Sequence, residues 1–200
     1  MASSAFIDFS RRNFSYDIYQ IRPTMTKTRI GCGILFTFSL LCAAARAENG
    51  AGRGVGTATG LPLPRFVSLK SDEVNARVGP GGDYQIAWVF RRAGLPVEVI
   101  AEFENWRQVR DASGSTGWVN GALTSARRTA VVAPWVKDHT LFELTSSRGG
   151  SATVARIEPG AIVDIMECDG RDCEVYAGSQ KGWVPQKNLW GVYPGESVAK

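Results

Sequence analysis

Gly94-Leu95-Pro96-Val97-Glu98-Val99-Ile100 and Gly160-Ala161-Ile162-Val163-Asp164-Ile165 lie 66 residues apart, and together they decide the fold. In each, a glycine breaks the preceding segment and apolar residues then recur at alternate positions, the period of a half-buried strand rather than of a helix. The same offset carries Val109 onto Val175. A turn one residue shorter then brings Gly117-Trp118-Val119 onto Gly182-Trp183-Val184, and Leu123 regains the original offset opposite Leu189. Two copies of one unit are present. Each has about 60 residues, small for an independent core, so mutual packing or a covalent brace is expected to assist the second copy.

Around these strands the pattern stays strand-like. Trp106-Arg107-Gln108-Val109-Arg110 alternates, Asp111-Ala112-Ser113-Gly114-Ser115 supplies a turn, and residues 116–119 begin the next strand. Residues 172–176, the turn Ala177-Gly178-Ser179 and residues 181–184 repeat that hairpin. Short strands with closely spaced turn signals predict an all-β chain built as small barrels or sandwiches, with at most short helical turns.

At the head of the first copy stands Val74-Asn75-Ala76-Arg77-Val78-Gly79-Pro80-Gly81, and at its close Gly117-Trp118-Val119. An Asn-x-Arg-x-Gly-Pro opening and a closing Gly-Trp-Val resemble the bacterial SH3-like (SH3b) domain. The resemblance implies two tandem small SH3-like β-barrels, over residues 64–128 and 129–200. The second copy keeps the closing motif but has Leu141-Phe142-Glu143 and Ser146-Ser147 where the opening belongs, so a ligand site carried by the opening loop is not expected there. In such folds an aromatic groove between loops is the usual contact surface. The residues expected to form it in the first barrel are Asn75, Arg77, Tyr84, Trp88 and Trp106, whereas Trp118 and Trp183 are expected to pack into or cap their barrels.

Outward from the repeats, residues 48–63 are rich in Gly, Ala and Thr and read as a flexible tether. Before them, Lys27 and Arg29 precede an apolar run over residues 30–45, and Ala45-Arg46-Ala47 supplies the small residues of a cleavage site. Residues 25–47 are therefore expected to be a secretory signal peptide, too short to span a bilayer as a stable helix. Residues 1–24 carry no sustained periodicity and are expected to be an extension ahead of a true start at Met25. Lipidation is not expected, since neither Cys32 nor Cys42 stands in a lipoprotein context. Export places the chain in the periplasm or outside the cell, without stable membrane insertion.

The formal charge of +4 suggests a polyanion partner until it is divided at residue 47. The leader removes six of 23 Lys/Arg and two of 19 Asp/Glu, leaving 17 of each. A neutral mature chain has no surplus to displace counterions from phosphates, so nucleic-acid binding is not expected. Residues 65–128 carry a balance of +2 and residues 129–200 one of −2, which predicts weak mutual attraction, with docking through residues 130–135. Of the four cysteines only Cys168 and Cys173 follow the leader, and in an exported chain they are expected to form a disulfide across the Asp169-Gly170 turn.

Catalysis finds little support. His139 is the single histidine, no Ser or Thr lies in a nucleophile elbow, and Gly79-Pro80-Gly81-Gly82 has no Lys-Ser/Thr behind it to make a phosphate loop. Glu167, Asp169, Asp172 and Glu174 form an acidic cluster better read as a solvated hairpin tip than as a pair of hydrolytic carboxylates. The expectation is a non-catalytic envelope module without cofactor or metal. The resemblance implies peptidoglycan or a short envelope-protein peptide as ligand, with an adaptor docking on an envelope protein as the alternative and a cell-wall hydrolase third.

Overall fold

The computed structural model describes residues 54–199. The leader and the extension ahead of it lie outside the described residues. The described residues begin with a hairpin of β1 (Gly54–Val55) and β2 (Pro62–Leu63). The first barrel follows as β3 (Arg65–Leu69), β4 (Val74–Arg77), β5 (Ile86–Phe90), β6 (Pro96–Phe103), β7 (Trp106–Arg110), β8 (Thr116–Asn120) and β9 (Thr124–Ser125). The second runs through β10 (Thr129–Val132), β11 (Phe142–Thr145), β12 (Thr153–Ile157), β13 (Ile162–Asp169), β14 (Asp172–Ala177), β15 (Gln180–Pro185), β16 (Leu189–Trp190) and β17 (Ser197–Val198). Helical structure among the described residues is limited to two 3₁₀ turns, Gly121–Leu123 and Gln186–Asn188.

The two sheets have one topology. The first is ordered β5-β4-β8-β7-β6-β3-β9 and the second β12-β11-β15-β14-β13-β10-β16, with β17 added against β13. All strand pairs are antiparallel, and each sheet curls into a small SH3-like barrel. The 66-residue offset survives to single positions: the bulge between Val99 and Ala101 recurs between Ile165 and Glu167. Gly94 and Gly160 both have positive φ, at 75° and 79°, a conformation that side chains with a Cβ rarely adopt.

Alternation sets the cores. Leu69, Val74, Ala76, Val97, Val99, Val109 and Val119 close the first barrel, and Leu144, Val163, Ile165, Val175, Val184 and Leu189 the second. Cys168 and Cys173 face each other across β13 and β14 as a disulfide inside the second core. The bridged residues are only five apart in sequence, so the loop-closure gain is modest, about 2 kcal/mol. Reduction is expected to lower the unfolding free energy by that amount, read as a shift in urea midpoint with and without reductant.

Two sequence expectations change. Residues 54–63, read as part of a flexible tether, are an ordered hairpin whose turn seats on Glu102: Ala58 N, Thr59 N and Thr59 Oγ1 donate to that carboxylate at 3.1, 3.0 and 2.8 Å. Glycine permits this, because a Cβ on Gly56 would lie 2.3 Å from Glu102 Oε2. Composition registered only small residues that can bury little; the backbone N–H groups supply the attachment instead. Likewise residues 130–135 are not a docking linker, since residues 129–132 form β10 and Ala130 and Val132 are fully buried in the second core.

The barrels meet through aromatic side chains. Phe66 of β3 packs on Trp190, with ring centroids 5.2 Å apart, and on Tyr193 at 4.8 Å. The Tyr193 hydroxyl donates to Glu98 Oε1 at 2.9 Å, and Arg110 Nε donates to Glu98 Oε2 at 2.7 Å. Burial, reinforced by the Glu98 carboxylate, pushes the Tyr193 phenol well above its ordinary range. Thr129 Oγ1 donates to the Gly94 carbonyl at 2.8 Å and Arg92 to the Gly160 carbonyl at 3.2 Å, so the junction also uses the two turn glycines.

Candidate functional site

The outward face of β4, β8 and β7 collects most of the expected groove residues. In β8, Gly117 and Val119 are buried, which turns Trp118 and Asn120 outward. Trp118 is paired with Gln108 of β7 on one side and with Arg77 of β4 on the other. One step along, about 7 Å away, Phe103, Trp106 and Asn120 form the next row. Phe103 is half exposed, and Trp106 and Trp118 are partly covered.

Tyr84 sits in the loop joining β4 and β5. The Arg77 guanidinium donates to its carbonyl at 2.5 Å, and Val78 N donates to the Gln85 carbonyl at 3.0 Å, which fixes the loop base. The Tyr84 ring lies flat on the glycines of Gly79-Pro80-Gly81: a Cβ on Gly79 would be 2.4 Å from the ring. The opening motif thus reads physically as a seat for an aromatic ring that remains half exposed, beside the exposed Val78 and Ile86.

Asn75, Arg77, Tyr84 and Trp106 therefore lie on this face or its bordering loop. Trp88 does not. It points inward onto the core, edge-on to Phe90 at 5.8 Å, and its ring occupies space that a side chain at position 117 would need, 2.8 Å from a Cβ built there. Trp118, expected inside, takes the outward place. Strand alternation around the buried Gly117 and Val119 carried that signal, whereas the inward turn of Trp88 required knowledge of its contact with Gly117.

In the second barrel the corresponding row is Glu174, Trp183 and Thr145. Here Arg148 stacks over Trp183, 4.5 Å from the ring centroid. Arg148 is held there by Glu167 at 3.3 Å and Asp169 at 3.1 Å, while Lys181 pairs with Glu174 at 2.8 Å. Asp169 is kept below the ordinary carboxylate range by the N–H groups of Asp172 and Arg171. Three of the four clustered acids are thus engaged by basic side chains. Among the described residues no cation stacks on Trp118, and no group of three or more His, Cys, Asp or Glu is arranged to hold a metal ion.

Comparison with known proteins agrees with the repeat. The bacterial SH3 domain family matches residues 70–126 and 146–191. The chain belongs to that family. Both bacterial SH3 domains fall within the two sheets, the first including the opening loop and the closing Gly-Trp-Val, the second beginning after β11. No curated protein matches the chain in sequence. Among solved structures it is similar to NlpC2 from Trichomonas vaginalis, at 14% identity and a TM-score of 0.30, over 64% of this chain and 48% of that one. It is similar also to NlpC1 from the same organism, at 12% identity and a TM-score of 0.30, over 68% of this chain and 48% of that one. The chain spans about half the length of each of these two structures.

Proposed function

We propose that this chain is a non-catalytic binding module of the bacterial cell envelope, exported to the periplasm or beyond, whose first barrel takes peptidoglycan or a wall peptide on the face formed by Tyr84, Trp106 and Trp118. One observation carries the reading: two bacterial SH3 domains share a topology, yet the indole of the second-barrel row is covered by Arg148 while that of the first has no such cover among the described residues. Aromatic side chains on a rigid sheet lose little conformational freedom on contact, and they supply most of the affinity where they are accessible. Arg77 contributes by holding the loop rather than by covering Trp118.

The test is co-sedimentation of the chain from Glu48 onward, which retains every described element, with purified peptidoglycan. The wild type is expected to pellet with the wall. Trp118→Ala and Tyr84→Ala are each expected to weaken binding by about 2 kcal/mol, roughly 30-fold, without loss of fold. Arg148→Ala, in the second barrel, is expected to leave it unchanged. No pelleting of the wild type would sink the reading and turn attention to an envelope protein as partner, and release of soluble wall fragments would replace binding by hydrolysis.

A further inference from the structure

An open cleft of about 1070 Å³ separates the barrels, between the β7–β8 turn of the first and the 3₁₀ turn and C-terminal stretch of the second. Its volume is at the upper end of that of ligand sites, and three features of its walls specify an occupant.

The first is charge. Two acids face the cleft, and of these only Glu98 is neutralised by a basic side chain. Glu98 accepts from Arg110 and Tyr193, and Asp111 Oδ1 accepts from Ser113 N at 2.8 Å, Ser115 N at 3.0 Å and the Ser113 hydroxyl at 2.6 Å. The cations Arg171 and Lys187 also line the cleft, and both are exposed without an ion pair among the described residues. With Arg171 and Lys187 set against Asp111 alone, the balance of charge on the walls is positive.

The second is a matched donor and acceptor. Gln186 is 5% exposed, and its amide nitrogen donates to the carbonyls of Tyr193 and Glu196 at 2.9 and 3.0 Å, which leaves its carbonyl oxygen without a partner. The indole N–H of Trp190 is likewise buried with no partner. Buried polar atoms of this kind are costly to leave unmade, and both residues line the same cleft. A peptide unit offers the complementary pair, one C=O and one N–H, once a small side-chain shift opens the two atoms to the cleft. The third feature is Trp135, 54% exposed at the same cleft, which gives an apolar side chain a ring to lie on.

We infer that the inter-barrel cleft is a second binding site, for an extended acidic peptide: carboxylates on Arg171 and Lys187, backbone on Gln186 and Trp190, and an apolar residue on Trp135. An inorganic anion answers the cations but not the Gln186 acceptor, whereas a peptide answers both. The site is separate from the outward face of the first barrel and does not depend on what that face binds.

The experiment is titration of the chain from Glu48 onward with an end-blocked oligo-glutamate, followed by calorimetry and by tryptophan fluorescence, with oligo-lysine and inorganic polyphosphate as comparison probes. Oligo-glutamate is expected to bind with an affinity that falls as salt rises. Arg171→Glu and Lys187→Glu are each expected to weaken it about tenfold or more, with unchanged melting because both side chains are exposed. Trp135→Ala is expected to weaken it too, and Trp118→Ala to leave it unchanged. Absence of oligo-glutamate binding, equal binding of oligo-lysine, polyphosphate binding as tight as the peptide's, or indifference to both charge reversals would each overturn the inference. Loss of peptide binding in Trp118→Ala alone would move the peptide to the outward face.

Discussion

Glu102→Ala is expected to cost about 3–5 kcal/mol, the range for removing one partner of a buried ion pair. The Glu102 side chain is fully covered, with Arg65 Nη2 at 2.6 Å and Arg107 Nε at 3.4 Å, and both guanidinium groups are themselves largely buried. Truncation leaves these two cations without an anion and strands the N–H groups of Ala58 and Thr59, so the 54–63 hairpin is expected to detach as well. Equilibrium urea unfolding measures the loss, and limited proteolysis near Thr59 reports the detachment. A variant as stable and as protected as wild type would show that the hairpin does not brace the first barrel.

The same group sets an acid dependence. Burial by itself raises the Glu102 carboxyl, but hydrogen bonds from Arg65, Thr59 and Ala58 outweigh it and hold the pKa at about 2, against 4.5 for a free side chain. The unfolded chain therefore binds the proton more tightly than the folded one between these values. The stabilisation is fully present above about pH 5.5 and is lost as pH falls from about 4.5 towards 2, an amount of about 3 kcal/mol. Wild-type stability is expected to decline over that window, and the Glu102→Ala variant to lack this share of the decline.

Phe66→Ala is expected to remove about 3–5 kcal/mol and, more tellingly, to uncouple the barrels. Phe66 is 7% exposed and belongs to the first barrel, while both rings it touches, Trp190 and Tyr193, belong to the second. Without it Tyr193 loses the ring that positions its hydroxyl on Glu98. By differential scanning calorimetry the wild type is expected to melt in one transition and the variant in two. Two transitions in the wild type would show that the barrels are independent and that the cleft between them has no fixed shape. An acidic peptide bound in that cleft is expected to raise the melting temperature of the wild type and not of the variant.

Much of the candidate site was legible in residues 74–81, because its elements are local. Glycines at 79 and 81 permit a ring to lie on the backbone, Arg77 is spaced to reach back to that loop, and Tyr84 is near enough in sequence to be the ring. The exchange of Trp88 and Trp118 was less legible. A bulge between Ala76 and Arg77 shifts the register against β5, and which tryptophan turns inward is settled by the space that Gly117 leaves for Trp88. Arg148 on Trp183 was invisible for a similar reason, since a charge 35 residues away along the chain reads as an ordinary surface residue.

The sequence by itself determined the all-β class, the duplicated unit, the bacterial SH3 membership and the cysteine bridge. Each is written in alternation, turn glycines and short spacings, which act over a few residues and recur at a fixed offset. The tertiary structure alone decided the clasp of residues 54–63 on Glu102, the Phe66–Trp190–Tyr193 junction and the cleft beside it. These rest on partners 43 to 127 positions apart, such as Thr59 with Glu102 and Phe66 with Tyr193. No local pattern encodes such pairs, because what selects them is the burial of a carboxylate or a ring when two finished barrels come together.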